Sequence, residues 1–357
     1  MKLLISFPKE NENISSAARA IEAIIRSRLV ALNSSHRRSL AESHQIGLNE
    51  GMISLLFVML SALSFSQTYH RYGTLENDLR LLEKTYPTVA SVSVAGTSVE
   101  GRNLSVITLS RNKTAPALFI VGGIHARERI ASELPFLVAK KLLETNSSLL
   151  DTHTVHILPI MNPDGVEYDY SGAGKMSWRK NRRSLGGGAF GVDLNRNFGF
   201  GWSNEGASDA PFSDVYKGTA PFSEPETRAV RDFINSHPEI KIVVNYHSFG
   251  EQVFFPWGSK YSPIKDEAKL KRHQLIAETV AKLTSYTPMQ ASAPGLVTGD
   301  ICDWTFGEKG ITCLGIELDP REHIHYGHYL PENEIENVFR RNWESILYLV
   351  TEAKNVP

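Results

Sequence analysis

A chain of 357 residues, 41% hydrophobic and 22% charged, has the composition of a globular protein with one large domain or two ordinary ones. A formal charge of −1 lacks the basic excess of a nucleic-acid binder. Two cysteines, Cys302 and Cys313, make no disulfide framework, and without a Cys-x-x-Cys pair any metal site must use histidines and carboxylates. Residues 1–51 form an N-terminal extension with one amphipathic stretch, Ser15 to Leu32, expected to be loosely attached or absent from the mature protein. Residues 52–66 are strongly apolar and uncharged, short for a membrane span but suited to the core of a signal peptide, with a cleavage point between Ser66 and Gln67. Translation from Met52 is the preferred explanation of its position, although that start leaves almost no basic flank. An unusually long leader, a signal anchor and a buried helix are the alternatives. The expected location is secreted or periplasmic, with no stable membrane span after processing.

From 68 to 357 the texture changes to alternating strands and helices. Helical spacing is read at Leu75–Lys84, Ser132–Leu143, Glu224–Asn235, Lys265–Leu283 and Glu332–Ala353. Ser223 is the expected N-cap of the third, with Glu226 three residues on. Strands are read at Ala90–Val94, Leu104–Leu109, Val155–Ile160 and, as nearly continuous apolar runs, at Ala117–Val121, Ile242–Tyr246 and Ile311–Glu317. Such alternation predicts a single α/β domain with a mixed, mostly parallel central sheet flanked by helices. The long Gly-, Asn-, Ser- and Arg-rich stretch from Ser171 to Ala220 predicts an irregular, functional segment.

Three of the buried strands run into chemistry. The first leads to Gly122-Gly123-Ile124-His125-Ala126-Arg127-Glu128, the second ends at His247, and the third ends in Glu317. Ligands of open α/β sheets gather beyond the carboxyl ends of the strands, so these residues should share one edge. His125, Glu128 and His247 make a three-ligand zinc set with a fourth position left for water. A lone His-x-x-Glu is a weak signal and a lone strand-end histidine is usually structural; the conjunction with Glu317 carries the reading.

These residues, with others in order, resemble the zinc metallocarboxypeptidase family of carboxypeptidases A/B, most closely in texture the bacterial carboxypeptidase T branch. The resembling motifs are His125-Ala126-Arg127-Glu128, Asn162-Pro163-Asp164-Gly165, Trp178-Arg179-Lys180 with Arg182, Gly191-Val192-Asp193-Leu194-Asn195-Arg196-Asn197, His247-Ser248, Tyr286-Thr287-Pro288 leading into Gln290-Ala291-Ser292, Asp303-Trp304 and Glu317. They cover roughly 68–355. The resemblance implies one zinc ion per chain and removal of the C-terminal residue from peptides or proteins, with Glu317 as general base and Arg179 stabilising the oxyanion. It implies that Arg196 and Asn195 hold the substrate carboxylate, that Arg127 is an auxiliary cation on the substrate path, and that Asp193 accepts the His125 ring N–H. Arg182 and Arg183 stay unassigned.

The chain also departs from the family. Gly295 stands where relatives place a tyrosine that closes over the substrate. Arg129 replaces a common tryptophan, and Phe249 a common tyrosine. Cys302 sits where relatives place the residue that sorts side chains, and its neutrality argues against a strictly basic preference, while Asp300 could supply a negative charge. A broad or mixed apolar and basic preference is expected, in a pocket kept roomy by Gly258 and Gly315. Cys302 and Cys313 are expected to be free and buried, with a disulfide between them in an oxidising compartment as the alternative. Because the catalytic domain starts almost directly after the cleavage point, activation by removal of a prosegment is not expected. Hydrolysis of cell-wall peptides and a non-catalytic binding domain on the same scaffold are the competing readings.

Overall fold

The computed structural model describes residues 68–145, 148–172, 177–203, 205–318 and 328–357. The Ser15–Leu32 stretch and the 52–66 segment lie outside them. In chain order the helices are α1 (Tyr72–Thr85), α2 (Arg129–Thr145), α3 (Pro163–Tyr170), α4 (Pro225–Ser236), α5 (Glu267–Thr284), α6 (Ile301–Lys309) and α7 (Ile335–Glu352). The strands are β1 (Ala90–Thr97), β2 (Asn103–Leu109), β3 (Ala117–Val121), β4 (Thr154–Leu158), β5 (Ile240–Ser248), β6 (Gln252–Phe255), β7 (Thr287–Gln290) and β8 (Thr312–Leu318). Among the described residues they make one eight-stranded sheet in the order β1-β2-β4-β3-β5-β8-β6-β7. The pairs β3–β4, β3–β5, β5–β8 and β6–β7 are parallel, and β1–β2, β2–β4 and β6–β8 antiparallel, so the sheet is mixed and mostly parallel as expected.

The central strands are apolar throughout because both faces are covered. Alternate residues separate cleanly. Leu118, Ile120, Ile242, Val244, Leu314 and Ile316 face the core shared with α1, α2, α5 and α7. Phe119, Val121, Val243 and Cys313 face a second core with α4 and α6. By the period of two, Asn245, His247, Gly315 and Glu317 belong to this second face. No helix among the described residues is long and apolar enough to cross a membrane.

Four elements escape the sequence pattern: α3, α6, β6 and β7. The two strands have four residues each, too few for alternation to register, and β7 contains Pro288, tolerated because β7 is an edge strand. One expected cap is corrected. Glu224, not Ser223, is the N-cap of α4, with Pro225 as the first helical residue. The Glu226 side chain turns away from the cap to accept from the Val99 N–H at 3.0 Å, so no capping box forms.

The cysteines are also corrected: Cys302 and Cys313 form a disulfide, with Cα atoms 5.1 Å apart. From Cys302 the chain climbs α6, reverses at Gly310 in the left-handed conformation, and descends into β8. Seven residues at about 1.5 Å of rise are matched by three at about 3.3 Å, each roughly 10 Å, which returns Cys313 beside Cys302.

Candidate active site

Val121 is paired with Asn245, and His247 with Glu317, across three neighbouring parallel strands. This register carries His247 and Glu317 to the same level and face, while the turn after β3 brings His125 and Glu128 to them. The turn is built around Gly123, whose φ of +59° only glycine adopts readily and where a Cβ would lie 2.5 Å from Ser132 Oγ. The Asn162-Pro163-Asp164-Gly165 motif supports the same region. Asn162 caps α3 by accepting from Gly165 N at 3.0 Å and donates from Nδ2 to the carbonyls of Ile124 and Lys180. That ties the loop carrying His125 to the segment carrying Arg179.

Three buried side chains converge. His125 Nδ1 lies 2.8 Å from Glu128 Oε1 and 3.2 Å from His247 Nδ1, which is 3.1 Å from Glu128 Oε2. Both histidines therefore present Nδ1, and their outer nitrogens are engaged elsewhere. His125 Nε2 meets Asp193 Oδ1 at 3.2 Å. His247 Nε2 meets the Asn245 side-chain amide at 2.6 Å. Asn245 Oδ1 is a buried atom without a partner; a half-turn of the amide puts it on the Nε2–H of His247, which satisfies both and leaves the Nδ1 lone pair for a metal. Two imidazoles and a carboxylate, buried and with outer nitrogens held, are donors that fit zinc. Burial pulls both imidazoles toward neutrality. Glu128 more than offsets that at His247, while Arg179 adds to the fall at His125.

Around this centre Asp193 is a hub. Its Oδ1 also accepts from Asn195 N at 3.0 Å, and its Oδ2 accepts from Arg179 Nε at 3.0 Å and Nη2 at 2.9 Å. Burial alone would raise this carboxyl, but Arg179 and then Arg196 hold it well below the usual range. Arg179 Nη1 lies 3.6 Å from Glu128. Arg196 is fixed through Nε to the Gly206 carbonyl at 2.7 Å and through Nη1 to the Asn195 carbonyl at 2.9 Å. Its Nη2 makes no hydrogen bond among the described residues. Gly206 (φ +68°) permits this clamp, since a Cβ there would lie 1.8 Å from the Leu296 carbonyl oxygen.

A cavity of about 290 Å³ opens on these groups, lined by His125, His247, Glu317, Arg179, Asn195 and Arg196 on one side and by Phe254, Pro294, Asp300, Ile301, Cys302 and Gly315 among others deeper in. Glu317 is half-buried, and its buried Oε2 has no partner among the described residues. Burial pushes its carboxyl up to about 7, against the pull of His247 and Arg179. Asp300 caps α6 through Oδ1, which accepts from Cys302 N and Asp303 N at 2.9 and 3.0 Å. Its Oδ2 is buried and unpartnered, and burial, with Asp303 adding, pushes the carboxyl up to about 8.

The remaining residues fall outside this ring. Arg127 is absent from the cavity lining and donates to the Ser177 carbonyl and to Asp214 at 3.2 and 3.3 Å. Arg182 lies over the rings of Tyr168, Trp178 and Phe190, and Arg183 pairs with Glu224 at 2.9 Å, so both have structural partners. Arg129 lies over Tyr170 and pairs with Asp169. Gly315 lines the cavity. Gly258 does not; a Cβ there would lie 3.3 Å from Asp300 Oδ2, so it admits a close approach rather than widening the pocket. Asn245 was missed by the sequence reading. Its signal was available: it stands two residues before His247 on the same strand, hence on the same face.

A profile of the zinc carboxypeptidase family matches residues 75–345. Carboxypeptidase B of Astacus astacus is 33% identical over 300 residues, covering 81% of this chain and 98% of its own length. Carboxypeptidase A1 of Sus scrofa is 30% identical over 304 residues, covering 81% and 71%. Among solved structures, bovine thrombin-activatable fibrinolysis inhibitor in complex with tick carboxypeptidase inhibitor superposes with a TM-score of 0.75 at 28% identity, covering 82% of this chain and 100% of that one.

Proposed function

The chain belongs to the zinc carboxypeptidase family and is a metallocarboxypeptidase, and from that premise we propose that it uses one zinc ion, held by His125, Glu128 and His247, to release single C-terminal residues from peptides and proteins with mixed apolar and basic preference. The observation that carries this is the opposition, in one cavity, of an unpartnered buried carboxylate, Glu317, to the His–Glu–His cluster. Zinc in such a site supplies a Lewis acid that polarises a carbonyl and acidifies water.

The chain's own groups do the rest. Glu317, with a carboxyl near 7, accepts the proton of the water that attacks the scissile carbonyl and passes it to the leaving amine; a base poised near the working pH does both well. Arg179, locked by Asp193, presents Nη1 toward the developing oxyanion without having to reorganise. Arg196 is immobilised by two carbonyls, and its remaining Nη2 edge and the neighbouring Asn195 receive the terminal carboxylate. This grip sets the distance from chain terminus to scissile bond, which favours the exopeptidase reading over hydrolysis of cell-wall peptides. Deeper in, Phe254, Ile301 and the Cys302–Cys313 disulfide offer an apolar wall, while Asp300 Oδ2 offers a partner to a lysine or arginine side chain. A Cβ at Gly295 would meet nothing within 4 Å, so open space stands at the position of the family tyrosine, and activity is expected to be retained with weaker substrate binding.

The test is mass spectrometry on a panel of unmodified peptides ending in different residues, with muropeptides in parallel. Loss of C-terminal Leu, Phe, Lys and Arg from unmodified peptides is expected; cleavage of muropeptides alone would overturn the proposal. We further propose export through the 52–66 segment, for which N-terminal sequencing of the mature protein should begin at Gln67.

A further inference from the structure

On the same face of the sheet as the active site, but toward the opposite end, lies a second convergence of metal-binding side chains. His156 is in β4, His237 caps the C-terminus of α4, and Glu239 directly precedes β5. One ligand atom from each lies within 4.8 Å of the other two, and His156 Nε2 is 3.2 Å from Glu239 Oε1. We propose that this cluster binds a second divalent ion of the zinc class, which pins the end of α4 to the sheet.

The outer nitrogens carry the argument. His237 Nδ1 lies 2.7 Å from the Phe233 carbonyl oxygen, which can only accept, so Nδ1 carries a hydrogen and Nε2 is the nitrogen left for a cation. His156 Nδ1 lies 2.9 Å from the Thr108 hydroxyl, which can accept its proton and free Nε2 in the same way. Two imidazoles then converge with a carboxylate oxygen, an arrangement a cation can bridge. Backbone carbonyl and hydroxyl partners on the outer nitrogens are the usual supports of zinc-bound histidines. Aromatic packing fixes the rings: Phe233 stacks on His237 at 4.0 Å and meets His156 edge-on at 5.3 Å.

Two imidazoles and one carboxylate select a zinc-class ion over magnesium or calcium, which prefer all-oxygen sites. His237 and Glu239 are half-exposed, so an ion can enter from solvent, and a water can complete a tetrahedron. Unlike the active site, this cluster has no buried unpartnered carboxylate beside it among the described residues, so its role is structural.

The experiment is zinc titration of the untagged holoenzyme by equilibrium dialysis with elemental quantification, in wild type and in the H237Q and E239Q variants. Glu239→Gln is nearly isosteric and His237 is at the surface, so both should fold. Wild type is expected to bind one more zinc per chain than either variant, and its Tm to rise by roughly 5 °C at a hundredfold excess over the Kd while the variants do not respond. The difference between wild type and variants is independent of whether the His125 site is filled. Equal stoichiometry in all three proteins would show that Glu239 merely accepts an N–H from His156, and would overturn the proposal.

Discussion

The two ends of the sheet's α4–α6 face carry the same kinds of ligand and differ in everything around them. At the carboxyl end the donor atoms have converged to 2.8–3.2 Å, two arginines and Asp193 surround them, and a cavity of about 290 Å³ brings an unpartnered carboxylate to the centre. At the other end one close pair and a more distant histidine sit among aromatic rings. The ligand set alone therefore does not make a hydrolytic site. The cavity, the spare base and the preorganised cations do, and they occur where parallel strands end and their connecting loops splay apart.

The sharpest way to break this contrast is to remove the spare base. Glu317→Gln should lower kcat/KM by about 10³-fold or more while the zinc content at His125, Glu128 and His247 is unchanged. Residual activity within tenfold of wild type would place the base elsewhere. Next is the hub. Asp193→Asn leaves Arg179 and Arg196 buried with diminished countercharge and removes the acceptor for His125. Stability should fall by roughly 3 kcal/mol or more in denaturant titration, and zinc affinity by about 10–100-fold. A loss of affinity with stability intact would mean the arginines find other partners.

A smaller effect tests the floor of the cavity. Asp300→Asn should reduce kcat/KM for peptides ending in Lys or Arg by about tenfold while leaving C-terminal Leu nearly unchanged, read as a ratio on paired substrates. An equal fall for both would reduce Asp300 to the cap of α6. A test that leaves the active site untouched lies on α4, the helix that ends at the second cluster. Burial pushes the Glu226 carboxyl up to about 7. The folded state thus holds this proton more tightly than the unfolded chain. The associated stability is complete below about pH 4.5 and is lost as pH rises through 7, an effect on the order of 3 kcal/mol. Glu226→Gln should flatten that decline between pH 5 and 8 in thermal melts, and an unchanged slope would contradict the shift.

Much of this was legible in the chain, for definable reasons. Doubly covered strands announce themselves as nearly continuous apolar runs and amphipathic helices by period, so β3, β5 and β8 and five of the helices could be read in advance. His125, Glu128, His247 and Glu317 were legible because each follows or ends such a strand. The short elements β6, β7, α3 and α6 were not, because four to nine residues hold too few periods. The Cys302–Cys313 bond was misjudged because a separation of 11 along the chain does not reveal that a helix and a strand retrace the same 10 Å or so.

The sequence by itself determined the alternation of strands and helices, the order of the motifs and the residue types that can bind a metal and move a proton, since these follow from periodicity and side-chain chemistry. Only the tertiary structure decided that β3, β5 and β8 are neighbours in register, that Asp193 gathers His125, Arg179 and Arg196, and that His156 meets His237 and Glu239 at the far end. Apart from the Asp193–Arg196 pair, those are contacts between residues from 14 to 124 positions apart, set by strand order and loop closure rather than by any local pattern.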